Sequence, residues 1–281
     1  KRDVALIPRV AIHLNRETNN GVKYDPARDL VALYAAGTGS GSFYREVART
    51  ADCAPEDVVA GDLVLYNNQP GTVWGPEGEF VSAPRLDDLA CVFACTEGFL
   101  TAQERDMVPV LCVFDNEEIG SETKQGAASV FLPETLAAIS EALGLSAADH
   151  RALLADSMML SCDNGHARHP NHPELADTNE APVPNGGVVV KHSPRYATDG
   201  VSAAVFTELC RRTEVPVQHY ATRPDQMGGA TLGNIADTKL PIPTVDIGMA
   251  QLAMHSCFET MGSRDVETFV RAVRACYESS L

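Results

Sequence analysis

The sequence predicts an α/β protein in which a mostly parallel sheet lies between helical layers. Three observations carry this. Short apolar runs, among them VPVLCVF (108–114), GVVVK (187–191) and PTVDIG (243–248), alternate with stretches of helix length, the pattern of a sheet covered on both faces. Near the end, Val266, Phe269, Val270, Val273, Cys276 and Tyr277 follow i, i+3, i+4, i+7 spacing behind Ser263, which predicts an amphipathic helix capped by that serine. The 281 residues, 44% apolar and 21% charged, suffice for one large or two modest domains with a sizeable core.

Residues 1–78 lean towards β and differ from the rest. Residues 6–14 read as a strand whose start Pro8 demotes to an edge. Residues 15–24 are turn-rich, and 40–47 and 54–59 read as short helices. Residues 62–66 and 72–74 read as a hairpin across NNQPG, and 80–82 as a further strand. Residues 79–281 hold the α/β pattern. Helices are expected at 89–100, 123–131, 133–143 and 199–212. Strands are expected at 108–114, buried by its continuous apolar run, and at 158–162, 187–191, 215–221 and 243–248.

Lys and Arg total 22 against 38 Asp and Glu, a net charge of −16. Such a surface repels phosphate backbones and anionic lipid, which argues against nucleic-acid and membrane-surface binding and favours divalent cations. The longest apolar run, 108–114, is far below the ~20 residues of a membrane span, and no signal-peptide pattern opens the chain. Eight cysteines without a CxxC pair, several within apolar runs, predict free thiols in a reducing, cytoplasmic compartment.

Polar residues collect where apolar elements end, in PRLDDL (84–89), FDNEEIGS (114–121), SCDNGHARHPN (161–171) and AMHSCFE (253–259). If these ends converge, Asp87, Asp88, Glu117, Glu118, Asp163, His166, His169, His255 and Glu259 share one rim. Carboxylates without a central cation raise one another's pKa, and carboxylates with imidazole suit zinc, manganese or cobalt. Adjacent acids at an extended strand end point apart, so one of Glu117 and Glu118 can face a metal while the other acts as a base. Each piece also has a plain structural reading. Asp87 can cap a helix, Asp163-Asn-Gly can form a turn, the histidines of 166–172 can be a solvated loop, and His255 can be a packed side chain. Their joint occurrence favours the metal.

The strings IPRVAIHLNRE, EFVSAPRLDDL, VFDNEEIGS, SCDNGHARHPN, RYATD, GGATLG and VDIG with AMHS run over nearly the whole chain. In that order they resemble the aspartyl aminopeptidases, co-catalytic dizinc exopeptidases that assemble as tetrahedral dodecamers. The resemblance implies a zinc-peptidase sandwich over 79–281 and, over 1–78, the back part of an inserted β-rich dimerisation domain. It implies two zinc ions, with Mn or Co as alternatives. Asp87 would bridge them, Glu118 and His255 would ligate one and Asp163 the other, with Glu117 as general base. His13, in AIHLNR, would reach a neighbouring subunit's site to help stabilise the tetrahedral intermediate. Lys191, Gly228 and Gly229 would bind the peptide substrate.

The sequence also departs from the family pattern. Asp88 stands where the family usually has Asn, adding a negative charge. The stretch KHSPRYA is short and holds no second lysine, so a preference for acidic N-terminal residues is not implied. The family's His-Thr-Asp-Ser motif, source of a fifth metal ligand, has no match. The expectation is therefore a C-terminal fragment, a processed subunit or a chain with an N-terminal partner polypeptide. The rival reading is an inactive fragment or an assembly or storage subunit.

Overall fold

The computed structural model describes residues 3–37, 41–103 and 107–279. It divides into two units, Lys1–Asn68 and Gln69–Leu281.

The first unit has little regular structure. It holds a 3₁₀ turn at Arg16–Asn20, helices α1 (Pro26–Asp29) and α2 (Ser42–Ala51), and a second 3₁₀ turn at Pro55–Asp57. Ser40, the first residue of the helix expected at 40–47, lies outside the described residues. The strand expected at 6–14 is reduced to one bridge, in which Leu6 and Leu33 exchange hydrogen bonds of 3.0 and 2.7 Å. Residues 12–14 form a turn. The expected hairpin does not form either, because residues 62–71 carry no strand and 72–74 finds its partner further on. Strands need a packed face to persist, and Leu63, Val64 and Leu65 are exposed.

The second unit runs β1 (Thr72–Trp74), β2 (Phe80–Ala83), α3 (Leu86–Thr101), α4 (Phe131–Ala142), α5 (Ala147–Ala155), β3 (Met159–Cys162), β4 (Gly165–His166), β5 (Val188–His192), α6 (Gly200–Arg212), β6 (Val217–Ala221), α7 (Gly233–Ala236), β7 (Thr244–Gly248), β8 (Ala250–Leu252), β9 (Glu259–Gly262) and α8 (Ser263–Glu278). One sheet has the order β1-β2-β9-β8-β4 and the other β3-β7-β5-β6. Because β1 pairs with β2 and β2 with β9, the division falls after residue 68 rather than at the 78/79 border read from composition. The α/β class stands, with mixed strand directions. The pairs β3–β7, β4–β8 and β5–β6 are parallel, whereas β1–β2, β2–β9, β5–β7 and β8–β9 are antiparallel.

Central strands β5 and β7 are buried almost throughout, as strands covered on both faces must be. Cys91, Ala94 and Cys95 of α3, Phe206 and Cys210 of α6 and Phe269, Ala272 and Val273 of α8 join Val188, Val190, Val245 and Ile247 in one core. Gly98 of α3 lets α8 approach, since a Cβ there would lie 2.7 Å from Val273 Cγ1.

Residues 108–114 form no strand. Leu111 packs against the core, but Val108, Val110 and Val113 are exposed, and no described strand pairs with them. Residues 123–130 are turns, so the helix starts only at Phe131. Ser263 opens α8 without capping it. Gly262 takes the cap position, and the serine hydroxyl donates to the Gly78 carbonyl at 2.6 Å. Helix α5 was not expected, although Ser146 and Asp149 form a reciprocal capping box there. Among the described residues no helix is long and apolar enough to cross a membrane.

Candidate metal centre

Four distant stretches bring acids and one imidazole together in the second unit. Asp87 and Asp88 stand at the opening of α3, where Arg85 is left-handed (φ 59°) and both aspartates have non-helical backbone, so the regular helix begins beyond them. Glu117 and Glu118 lie on a 3₁₀ turn, Glu117–Ile119, entered through Asn116 at φ 61°. This replaces the extended strand end expected for the pair. Asn116 fixes the turn by accepting the Ser121 N–H at 2.9 Å and donating to Thr123 Oγ1 at 3.0 Å. Asp163 follows β3, and its N–H donates to Ile247 of β7 at 3.0 Å. His255 stands between β8 and β9 at φ 63°.

Two buried features hold the Asp163 turn. Gly248 packs so close that a Cβ would collide with the Asp163 carbonyl. Asn164, 3% exposed, donates to the Leu86 carbonyl at 3.0 Å and to Gln251 Oε1 at 2.7 Å. It thereby ties the start of α3 to β8.

His255 Nε2 lies 3.2 Å from Asp87 Oδ2 and 3.1 Å from Glu118 Oε2. Asp87, Glu118 and His255 offer ligand atoms within 4.8 Å of one another, and so do Asp87, Asp88 and Asp163. Asp87 belongs to both groups. The Oδ1 atoms of Asp87 and Asp88 are buried without a hydrogen-bond partner, a costly state for an oxygen removed from water. Burial, then the charges of Asp163, Glu118 and Glu259, pushes the Asp87 carboxyl up to about 8. Asp88 is raised well above the usual carboxylate range, mainly by burial and Asp163. Burial, then Asp163 and Glu118, pushes Glu117 up to about 7. A cation among these groups would relieve the repulsion and engage the orphaned oxygens. Carboxylates with an imidazole in the first group fit zinc. The second group offers oxygen alone among the described residues.

Lys191 is 1% exposed on β5. Its ammonium donates to the Asp163 carbonyl at 2.7 Å, to Asp163 Oδ2 at 3.1 Å and to the Asn164 carbonyl at 3.2 Å. Burial by itself would lower its pKa, but the Asp163 and Asp246 carboxylates outweigh that and hold it above the ordinary value. All three donors are therefore used inside the protein, and none is left for a substrate. Gly228 and Gly229 lie on the exposed loop before α7, and Gly228 adopts φ 55°. His13 is exposed on a turn of the first unit. His166 and His169 belong to neither donor group, and the His169 ring lies 5.2 Å from that of His172, tilted by 43°, in an exposed loop.

Sequence reasoning missed Asn164 and Asp246. Asp246, fully buried on β7, accepts from the hydroxyls of Ser161 and Thr231 and from the Ala197 N–H. It fastens RYATD and GGATLG to the sheet. An acid inside the apolar run VDIG was the available signal.

A profile described as "Aminopeptidase I zinc metalloprotease (M18)" matches residues 1–277. The chain is 39% identical over 277 residues to the probable M18 family aminopeptidase 2 of Mycobacterium leprae, covering 98% of this chain and 65% of that protein. It is 40% identical over 273 residues to the protein of the same description from Clostridium acetobutylicum, covering 94% and 63%. A chain of the cryo-EM structure of the Ape4 and Nbr1 complex superposes with a TM-score of 0.92 at 28% identity, covering 98% of this chain and 58% of that one. The S. cerevisiae mApe1 dodecamer gives 0.79 at 29% identity, with 97% and 61% covered. The chain thus spans less than two thirds of the length of each of these relatives.

Proposed function

We propose that this chain, which belongs to the M18 family of aminopeptidase I zinc metalloproteases, serves a metal-dependent aminopeptidase with a co-catalytic two-metal site. The carrying observation is that Asp87 belongs to both donor groups while its buried Oδ1 lacks any hydrogen-bond partner. Glu118 and His255 would share one zinc with Asp87, and Asp163, joined by Asp88, would share the other. Zinc held there would supply Lewis-acid polarisation of the scissile carbonyl and a water whose pKa is lowered towards ~7.

Glu117, beside the donor groups, would accept a proton from the attacking water and deliver it to the leaving amine. The excess of carboxylates suits the free α-amine of a peptide and limits cleavage to its first residue. His13 of another subunit would donate to the oxygen that gains charge in the transition state, a contribution of about 3 kcal/mol. Gly228 and Gly229 would border the substrate. Lys191, with its donors spent, is reassigned from reading substrate to holding Asp163. Self-association follows from the likeness to the mApe1 dodecamer. A cytoplasmic setting suits eight cysteines without a CxxC pair.

A second reading, a non-catalytic chain, draws on the all-oxygen donor set around Asp163, which favours zinc less than a set with imidazole does. Zinc titration with metal analysis separates the two. The expected result is two zinc ions at saturation, the second weaker, one in His255→Ala and none in Asp87→Ala. Glu117→Gln should keep the zinc and lose hydrolysis of amino-acid anilides. Two ions retained by Asp87→Ala would remove the shared carboxylate, and full turnover in Glu117→Gln would remove the base. Zero or one ion on the unmodified chain, without activity, would favour the non-catalytic reading.

A further inference from the structure

We infer that Glu259 is a positioning residue that fixes the spacing of Asp87 and His255. Glu259 is 2% exposed at the start of β9. Its Oε2 accepts the Asp87 N–H at 2.9 Å and its Oε1 accepts the His255 N–H at 2.8 Å. One side chain therefore holds the backbone of two residues that lie 172 and 4 positions away from it.

Both N–H groups sit on irregular backbone. Asp87 is non-helical at φ −86° and ψ 113°, and His255 is left-handed at φ 63°, so neither has a ladder or helix carbonyl to donate to. The support is rigid. In β9, Glu259 registers with Ala83 and Thr260 with Ser82 of β2, while Thr260 also registers with Leu252 of β8. Glu259 belongs to neither donor group, so it acts through the residues it holds. The task calls for two acceptors at glutamate length. A glutamine offers one acceptor and turns an N–H donor towards the other backbone N–H. An aspartate keeps both acceptors but is one methylene shorter.

The consequence for zinc rests on the proposed metal centre, whereas the clamp is readable without metal. In the metal-free 281-residue protein, the amides of Asp87 and His255 should exchange slowly. Rapid exchange at both in the unmodified chain overturns the inference before any variant is made. Glu259→Gln should speed exchange at one or both amides and weaken zinc binding by about 10- to 100-fold, the usual effect of losing a group that orients ligands. Unchanged exchange, or unchanged zinc affinity despite faster exchange, overturns the positioning role. If the glutamine variant does not fold, Glu259→Asp is read by the same two measurements. Failure of the unmodified chain to bind zinc would instead defeat the metal centre, and the exchange data would still decide the clamp.

Discussion

Lys191 is a cation enclosed by what it binds. Replacing it with Met, of similar length, would leave the Asp163 carboxylate and two carbonyls facing an apolar side chain. Removing one partner of a buried ion pair costs about 3–5 kcal/mol because the other charge stays behind. The Asp163 side chain keeps 13% exposure, so the lower end of that range is expected for Lys191→Met in urea unfolding of the metal-free protein. A loss below about 1 kcal/mol would show that water already serves Asp163. Residues of this kind mark the limit of sequence reading. Asp87, Glu118, Asp163 and His255 stood out as acids and a histidine at the ends of apolar elements, and the structure brings them together. Asn164, Asp246 and the clamp of Glu259 did not stand out, because their partners are backbone groups and small or amide side chains brought from distant stretches. Which of these groups meet depends on the folded path of the chain.

Helices α3 and α8 meet at Gly98, where a Cβ would lie 2.7 Å from Val273 Cγ1 and 2.9 Å from Val273 Cβ. Gly98→Ala gains about 1 kcal/mol of helix propensity but overpacks the contact at about 1–3 kcal/mol. A small net loss is expected, lowering the melting temperature by about 2–4 °C per kcal/mol. Adding Val273→Ala should make the pair of changes less than additive. Full additivity would mean that the helices separate without strain. The same elements show which patterns are readable. Helices α3, α6 and α8 lie where helices were expected, α8 on its periodicity, and the structure shows α6 capped by Asp199, which accepts from the N–H groups of Val201 and Ser202. The run 108–114 has the composition of a buried strand, but a continuous apolar run predicts burial without naming a partner. Its exposed valines show the result. Helix α5 buries no residue, so its apolar face was too thin to read, although its capping box was written in the sequence.

Over the whole molecule the titrating groups fall into separate pH windows. Asp149, Asp199 and Glu208 are held below their ordinary values, chiefly by hydrogen bonds from Ser146, Ser202 and Arg211 respectively. They favour folding above the ordinary carboxylate range, and that contribution is lost only as pH falls through their lowered values. Asp87 and Glu117 behave oppositely. Their pKa values are raised to about 8 and about 7, so the folded chain keeps protons that the unfolded chain has released. Stability from these two is complete below their ordinary values of 3.8 and 4.5 and drains away as pH climbs through 7 and 8. His166 and His192, lowered mainly by burial from 6.5, act the other way, but only below that value. Across the window from about pH 6.5 to about pH 8 the acidic cluster therefore dominates, since Asp265, raised by burial to about 6, titrates mostly below that window. In chelator, the melting temperature is expected to fall across it. In excess zinc the fall should vanish or reverse, because ligands must be deprotonated to bind metal and affinity rises with pH. Parallel profiles with and without zinc would mean that Asp87 and Glu117 do not sense the metal. The cluster would then be a strained feature of the fold with no cation to relieve it.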